Sequence, residues 1–303
     1  MKKGKTKLLA VLALVILAGI YYYVALPALN IHSTEFWIFL IVVIVAAAFF
    51  YAKRKRFDRY ALKESKGMKV ILGILGAVVI VYAAGTLLSS PIVNAKKYQK
   101  LMKVEDGEFT KDIEELSFDQ IPLLDRDSAT ILGNRKMGSM VDMVSQFEVD
   151  DWYSQINYQQ EPVRVSPLGY ADLFKWFTNR EAGIPAYALV NMTTQDAEIV
   201  RLEDNPIHYS ESEPLVRNID RHVQLSYPFY MFDQKSFEID DEGHPWWICP
   251  VQTRTIGLFG GTTIERVVMV DATTGETQDL AIEDVPQWVD HAYPTDLLLE
   301  QYN

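Results

Sequence analysis

Three long stretches of apolar residues without a charged side chain lie near the start of the chain. They cover residues 8–29, 36–52 and 70–88 and contain 22, 17 and 19 residues. An α-helix rises about 1.5 Å per residue, so stretches of this length cross the roughly 30 Å hydrocarbon layer of a bilayer. The pattern predicts a membrane domain at residues 1–88 with three transmembrane helices, which makes the lipid bilayer a partner of the chain.

The first stretch follows a basic leader, and a cleaved signal peptide is the alternative interpretation. The stretch is longer than the apolar region of a signal peptide. Tyr21, Tyr22 and Tyr23 also occupy the place where small residues would precede a cleavage site. Because tyrosine side chains favour the headgroup level of a membrane, we expect a retained span with an interfacial aromatic belt.

Basic residues are distributed unevenly around the three stretches. Four lysines precede the first stretch, residues 30–35 contain no Lys or Arg, and residues 53–69 contain eight. Lys and Arg flanking membrane spans stay on the cytoplasmic side. We therefore predict a multi-pass plasma-membrane protein with its N-terminus inside the cell and residues 89–303 outside it.

The pattern changes after the spans, where residues 89–125 are expected to form a connecting segment. Apolar residues three and four positions apart predict a helix over residues 127–146. Aromatic and β-branched residues predict strands over residues 147–165. Ser166 and Pro167 have the pattern of a helix start. They predict a second helix, whose buried face is formed by Tyr170, Leu173, Phe174 and Phe177.

An internal repeat follows. Residues 184–198 can be laid over residues 264–278, at an offset of 80 positions. Each copy has the pattern of a strand, a turn in which Asn191 or Asp271 precedes two threonines, and a return strand. Helical sequence precedes each copy, in the second case near residues 213–224. The sequence therefore predicts a duplicated helix–hairpin unit.

Another pair of strands is predicted between the two copies, at residues 236–239 and 246–251. The intervening Asp-Asp-Glu-Gly at residues 240–243 is typical of a turn. Helices alternating with antiparallel hairpins indicate an α+β domain, with helices laid on antiparallel sheets, over residues 126–303.

The helix followed by antiparallel hairpins, with a last hairpin reading Val-Asp-Ala-Thr-Thr-Gly-Glu from Val270 to Glu276, resembles PepSY-type units. Such units are small extracytoplasmic or propeptide modules associated with binding and with restraint of peptidases. The wider arrangement is similar to multi-pass membrane proteins of Gram-positive bacteria with no assigned activity. The resemblance touches at most residues 166–285, and it implies no catalytic residues.

Charge separates the two parts of the chain. The net charge of -11 combines +9 in residues 1–88 with -20 in residues 89–303. The acidic surface argues against nucleic acid, since phosphate backbones are bound by basic surfaces. A single cysteine, Cys249, excludes an internal disulfide framework and a four-cysteine zinc site. Cys249 lies in an apolar strand and is expected to be a buried small side chain, and we expect no cofactor.

Four potential metal ligands stand close together in the predicted turn: Asp240, Asp241, Glu242 and His244. Divalent cations accept such oxygen atoms, but the spacing lacks the alternation of a calcium loop. A solvated turn is the favoured interpretation. The glycines at residues 257–261 lack the Lys-Ser/Thr of a phosphate loop and precede a predicted strand, so a hairpin corner is expected there.

Aromatic residues of the C-terminal part offer a second candidate site. They could line a groove for a peptide or a glycan, or they could belong to the core, which is the favoured interpretation. The residues in question are Trp246, Trp247, Trp288 and Tyr293.

The leading hypothesis is a non-enzymatic binding or regulatory module, held outside the cell by the membrane spans. Its partner would be an envelope protein, a peptide or a wall polymer. One alternative is an envelope hydrolase with a cation at residues 240–244. The other is a structural subunit of a larger membrane complex, or a homo-oligomer, associating through the spans, in which Gly73 and Ala77 would allow close helix packing.

Overall fold

The computed structural model describes residues 2–54, 57–102, 106–113, 117, 121–150 and 152–302, with the side chains of residues 2–7, 59 and 61 left out. The chain forms two compact units. The first contains residues 1–101, 224–231 and 253–263, and the second contains residues 102–223, 232–252 and 264–303. Predicted ligand and groove residues all belong to the second unit.

The N-terminal segment of the first unit is helical. Its helices are α1 (Lys2–Ala25), α2 (Thr34–Arg54), α3 (Arg59–Lys63), α4 (Lys66–Ser89) and α5 (Pro91–Tyr98). Among the residues that the structure describes, three segments are long and apolar enough to cross a membrane: Leu8–Ala25, Thr34–Arg54 and Lys66–Ser89. The prediction of three apolar helices is therefore confirmed.

The bounds of the first span differ from the prediction. Helix α1 ends at Ala25, and Leu26 has a positive φ of 48°. Pro27 disfavours the helical conformation for the residue before it, so the last four residues of the apolar stretch leave the helix. The second and third helices extend beyond their apolar stretches by one to four residues at each end, because flanking polar residues continue the helical turns.

Helices α1, α2 and α4 pack in sequence order, with α2 against both others. Tyr21 and Phe39 stack with ring centroids 5.6 Å apart, and Trp37 and Tyr82 lie 6.5 Å apart. These contacts join the end of α1, the start of α2 and the end of α4. The described residues between α2 and α4, 57–65, lie at the opposite end of the three helices.

The first unit also contains the hairpin corner at residues 257–261. Gly257 and Gly261 both have φ of 64°, which favours glycine. The side chain of Phe259 lies against Tyr82, with ring centroids 5.3 Å apart, and against Trp37. The predicted hairpin corner is thus confirmed, and it contacts the ends of α2 and α4.

The second unit is built on two antiparallel sheets. The strands of the first are β1 (Phe147–Val149), β2 (Ser154–Tyr158), β3 (Glu161–Tyr170), β4 (Ala186–Asn191) and β5 (Ala197–Arg201). Strands β6 (Met231–Phe232), β7 (Ser236–Ile239), β8 (Pro245–Ile256), β9 (Gly260–Asp271) and β10 (Thr277–Ala281) form the other. These sheets confirm the predicted α+β class.

The two sheets have the same pairing order. In the first, β3 pairs with β1, β2 and β4, and β4 pairs with β5. In the second, β8 pairs with β6, β7 and β9, and β9 pairs with β10. Helix α7 (Arg126–Gly138) precedes the first set of strands and α9 (Ile219–Ser226) precedes the second.

The turns of the two repeated hairpins have matching hydrogen bonds. Asn191 Oδ1 accepts from the backbone and hydroxyl of Thr193 and from the next amide, at 2.7–2.9 Å. Asp271 Oδ1 accepts the same three bonds from Thr273 and the residue after it, at 2.7–3.1 Å. Gln195 and Gly275 close the turns with φ of 63° and 78°.

Two helix predictions in this unit are wrong in their bounds. Helix α7 ends at Gly138, so the predicted helix does not reach residue 146, and Val141 is exposed. Helix α9 begins only at Ile219, and Leu215 before it is exposed. In both places the apolar spacing persisted beyond the helix, where the side chains lie in turns.

The helix predicted at Ser166 and Pro167 is wrong. Both residues lie in strand β3, where they pair with Ala188 and Tyr187. Residues 161–165 of β3 pair with β2 and residues 168–170 pair with β1, so Ser166 and Pro167 lie between these two groups. The proline, which lacks an N–H, therefore removes no hydrogen bond from the pairing of β3 with β1 or with β2. The helix here, α8 (Leu173–Asn179), begins after Asp172, whose side chain accepts two backbone amides.

The predicted buried face of this helix is also wrong. The side chain of Tyr170 is buried, but within strand β3. Three apolar side chains of α8 are exposed instead of buried: Leu173, Phe174 and Phe177.

The remaining helices are short: α6 (Phe109–Asp112) and α10 (Thr295–Tyr302), with a 3-10 turn at Ile282–Asp284. Leu297 of α10 packs in a core cluster with Ile248, Ile264, Val267 and Met269. The segment from residue 282 to α10 therefore covers one face of the second sheet.

Candidate functional site

The predicted turn at residues 240–244 is held by Asp240. Its Oδ1 accepts the amides of Glu242 and His244, at 3.1 and 2.8 Å, and its Oδ2 accepts the indole N–H of Trp246 at 3.0 Å. His244 Nε2 lies 3.1 Å from Oδ1 of Asp271. The side chains of Asp240 and His244 thus already interact with residues in or next to the turn.

A metal site is not assembled at this turn. Within the described residues, no group of three or more His, Cys, Asp or Glu side chains is placed to hold a metal ion. Of the four candidate ligands, Asp241 and Glu242 are exposed. The observed role of the turn is to join β7 to β8.

The four candidate groove residues do not share one surface. Trp247 is completely buried and donates its indole N–H to the Tyr209 carbonyl at 2.8 Å. The side chain of Trp246 lies on the opposite side of strand β8. There it packs with Trp288 and Tyr293 against the core cluster of the second sheet. Strand alternation therefore separates the two neighbouring tryptophans.

Cys249 is completely buried in strand β8. Burial raises the pKa of its thiol to about 12. Since the thiolate is the nucleophilic form, the position is unsuited to covalent catalysis.

A cavity of about 430 Å³ lies in the second unit. It is next to the first residues of β2 and β7 and to residues 291–296, which lead into α10. Ligand sites are typically about 300–1,000 Å³. The residues that line it are Arg126, Trp152, Tyr153, Ser154, Arg164, Gln234, Lys235, Ser236, His291, Pro294, Thr295 and Asp296. This cavity could not be recognised from local sequence patterns, because its residues come from five separate parts of the chain.

Two guanidinium groups belong to this lining. Arg164 of β3 donates to the Leu124 carbonyl and to Gln155 Oε1, at 3.3 and 3.4 Å. Burial lowers the pKa of Arg164, the charge of Asp125 opposes that change, and the charge of Arg126 adds to it. Arg126 is exposed at the start of α7. The two positive groups are thus close enough to influence each other.

A lysine supplies a third positive group. The side chain of Lys235 is 13% exposed, and its Nζ lies 2.5 Å from Asp220 Oδ1. Its Nζ also lies 5.8 Å from the centre of the Phe232 ring. These contacts fix the lysine side chain in its place beside the cavity.

Ser154, the first residue of β2, contributes a hydroxyl group to the lining. The residue is 5% exposed. Its Oγ is buried and has no hydrogen-bond partner among the residues that the structure describes. A buried hydroxyl without a partner is costly, so this group is suited to bonding a bound molecule.

The cavity also contains an ordered histidine. His291 Nδ1 lies 2.9 Å from Oε1 of Glu238, a completely buried residue. Glu238 also accepts the amides of Asp290 and His291, at 2.9 and 3.0 Å, and the hydroxyl of Ser236 at 2.8 Å. Burial on its own would lower the pKa of His291, but the hydrogen bond to Glu238 and the charge of that residue raise it overall.

The arrangement is suited to holding a polar molecule rather than to metal chemistry. Arginine, lysine, histidine and serine side chains offer hydrogen-bond donors to the same space. Glu238 fixes the histidine ring, which leaves Nε2 as the ring nitrogen available for a ligand. Searches against family models, curated proteins and solved structures find no match for this chain.

Proposed function

We propose that this chain is a multi-pass membrane protein that presents a non-enzymatic binding or regulatory module outside the cell. The single observation that carries this proposal is the polar cavity of the second unit. Its lining combines positively charged side chains with an unpartnered buried hydroxyl. Such a site is suited to a ligand that completes its hydrogen bonds.

The location in this proposal is supported by charge. Four lysines lie in the first turns of α1, before its apolar stretch, and eight basic residues lie at residues 53–69, whereas residues 89–303 are strongly acidic. Basic flanks stay in the cytoplasm, so the acidic part is assigned to the outside. The hairpin corner contacts the ends of α2 and α4 that lie away from the basic loop, which agrees with that orientation.

The duplicated helix–hairpin unit and its PepSY-like character also belong to this proposal. Two features support a duplication: both sheets have the same pairing order, and both repeated turns have the same hydrogen bonds. The two copies would be residues 126–201 and 219–281. The cavity is lined by the starts of β2 and β7, which are equivalent strands of the two copies.

The ligand of this module is an envelope protein, a peptide or a wall polymer that inserts one group into the cavity. The volume of about 430 Å³ accommodates such a group rather than a folded chain. The hydrolase alternative is less favoured, because it depends on a cation at residues 240–244, and the described side chains there do not form a ligand cluster.

The proposal can be tested with full-length protein in a neutral detergent. Soluble peptide and polymer fractions from cell envelopes would be passed over the immobilised protein, and retained molecules would be compared with the input by mass spectrometry. We expect retained molecules to be chemically unchanged. Release of altered molecules would identify an enzyme and would contradict the proposal.

A matched pair of variants connects retention to the cavity. Gln234→Trp places a large ring at an exposed position of the lining, and we expect at least a tenfold loss of retention. Gln278→Trp makes the same change at an exposed position of β10 that does not line the cavity. Equal retention by the two variants would mean that the ligand binds elsewhere.

A further inference from the structure

The charge of the cavity lining differs from that of the chain around it. Residues 89–303 carry a net charge of -20. The lining nevertheless contains Arg126, Arg164 and Lys235 against one carboxylate, Asp296. Positive charge concentrated in a cavity of an acidic domain is suited to a negatively charged ligand.

The two arginines form no ion pair within the described part of the chain. Neither Arg126 nor Arg164 has a carboxylate within salt-bridge distance among the described residues, and the bonds of Arg164 go to neutral oxygens. Lys235 is paired with Asp220, and His291 with Glu238. The positive charge of the cavity that is not held in a described ion pair therefore resides on the arginines, although the charge of Asp125 also acts on Arg164.

The donors reach the cavity from different elements. Arg126 is at the start of α7, Ser154 begins β2, Arg164 is in β3, and His291 lies before α10. A carboxylate offers two oxygens in one plane, whereas the oxygens of a phosphate point in several directions. Arginine also binds phosphate through two N–H groups at once. A phosphate group thus fits this set of donors better than a carboxylate does.

We propose that the cavity binds a phosphate group carried by the ligand. This inference rests on the proposed binding function and names the chemical class that the module recognises. Arg126 and Arg164 supply the charge, and the hydroxyl of Ser154 donates a hydrogen bond to a phosphate oxygen. Asp296, an exposed carboxylate of the lining, disfavours a ligand with a large excess of negative charge.

Calorimetric titration of the full-length protein in neutral detergent tests this inference. The probes are inorganic phosphate, glycerol phosphate and acetate, each at constant ionic strength. We expect saturable binding of one phosphate or glycerol phosphate per chain, and at least tenfold weaker binding of acetate. Acetate binding as tight as phosphate would overturn the assignment to phosphate.

Two arginines of the same helix provide the control. Arg126→Gln is expected to weaken phosphate binding at least tenfold, whereas Arg135→Gln, at an exposed position outside the lining, leaves it unchanged. Both positions are exposed, so folding is retained. Arg164→Lys keeps the charge but loses the planar fork, and we expect an intermediate loss. Equal phosphate binding by the Arg126 and Arg135 variants would overturn the inference.

The outcome separates this inference from the proposed function. Envelope ligands retained in a manner sensitive to Gln234→Trp, together with no binding of phosphate or glycerol phosphate, would refute the phosphate assignment and leave the binding module intact. Loss of both phosphate binding and cavity-dependent retention would refute the proposed function as well.

Discussion

The side-chain oxygen of Ser89 accepts the backbone N–H of Leu258. The distance is 2.9 Å, and the same oxygen accepts the next amide, that of Phe259, at 3.1 Å. Ser89 is the last residue of α4 and is 3% exposed. A hydroxyl group at the end of the third apolar helix thus holds a hairpin corner that is about 170 residues away in sequence.

Removing this hydroxyl should destabilise the first unit. Ser89→Ala leaves two backbone N–H groups without their acceptor, which costs about 1–3 kcal/mol when such groups are buried. The measurement is urea unfolding of the full-length protein in detergent micelles. Ser90→Ala is the control, because the hydroxyl of Ser90 bonds the local carbonyl of Leu87 and no other described group. Equal stability of the two variants would show that the Ser89 bonds contribute nothing.

Gly257 should not tolerate a side chain. Its φ is 64°, and an added Cβ would lie 2.5 Å from the Ser89 hydroxyl oxygen and 3.3 Å from Ser89 Cα. We expect Gly257→Ala to lower the free energy of unfolding by about 2 kcal/mol, because strain and the lost serine bond combine. Gly76→Ala, where no atom lies within 4 Å of the added carbon, should be neutral or stabilising. A neutral Gly257→Ala would contradict the described corner.

The unpartnered hydroxyl of Ser154 predicts an unusual effect on stability. Ser154→Ala removes a buried polar group that has no described partner, so we expect the ligand-free protein to gain about 1 kcal/mol. Added phosphate should then stabilise the variant less than it stabilises the unmodified chain. Thermal unfolding with and without phosphate measures both effects. A variant that is less stable without phosphate would show that the hydroxyl is satisfied within the fold.

The raised pKa of His291 predicts a pH-dependent contribution to stability. Because the pKa is higher in the folded state than in the unfolded state, this contribution is complete below about pH 6.5 and declines as the pH rises through the folded pKa. His291→Gln, which retains a donor for Glu238, should therefore cost more stability at pH 5.5 than at pH 9. The lowered pKa of His208 acts in the opposite direction, so the variant must be compared with the unmodified chain at each pH. A cost that is the same at both pH values would contradict the raised pKa.

The apolar helices and the strands of the repeated hairpins were predictable because their signals are local in the sequence. Apolar length alone located the spans, and the Asx-Thr-Thr turns located both repeated hairpins, whose strands are confirmed. Ser166 and Pro167 misled the prediction, because pairing of β3 with β4 outweighed a local helix-start pattern. Pairing with a distant strand has no local signal.

The cavity could not be predicted for the same reason. Ser154, Arg164 and His291 are separated by up to 137 positions, and each of them alone looks like an ordinary surface or strand residue. For the aromatic candidates, closeness in sequence did not mean closeness in the structure. Trp246 and Trp247 are adjacent in sequence, yet strand alternation separates them. The arginines of the acidic part did not mark the site either, because nine of them are spread over residues 126–266 and only two line the cavity.

Cysteine labelling in intact cells tests the central claim, that residues 89–303 lie outside the cell. The native Cys249 is completely buried, and its raised thiol pKa also suppresses labelling, so the background is low. Asp196→Cys, at an exposed turn, should react with a maleimide that cannot cross membranes, whereas Lys63→Cys, in the basic loop, should react only after the cells are opened. Labelling of the Lys63 variant but not the Asp196 variant in intact cells would reverse the orientation and contradict the account.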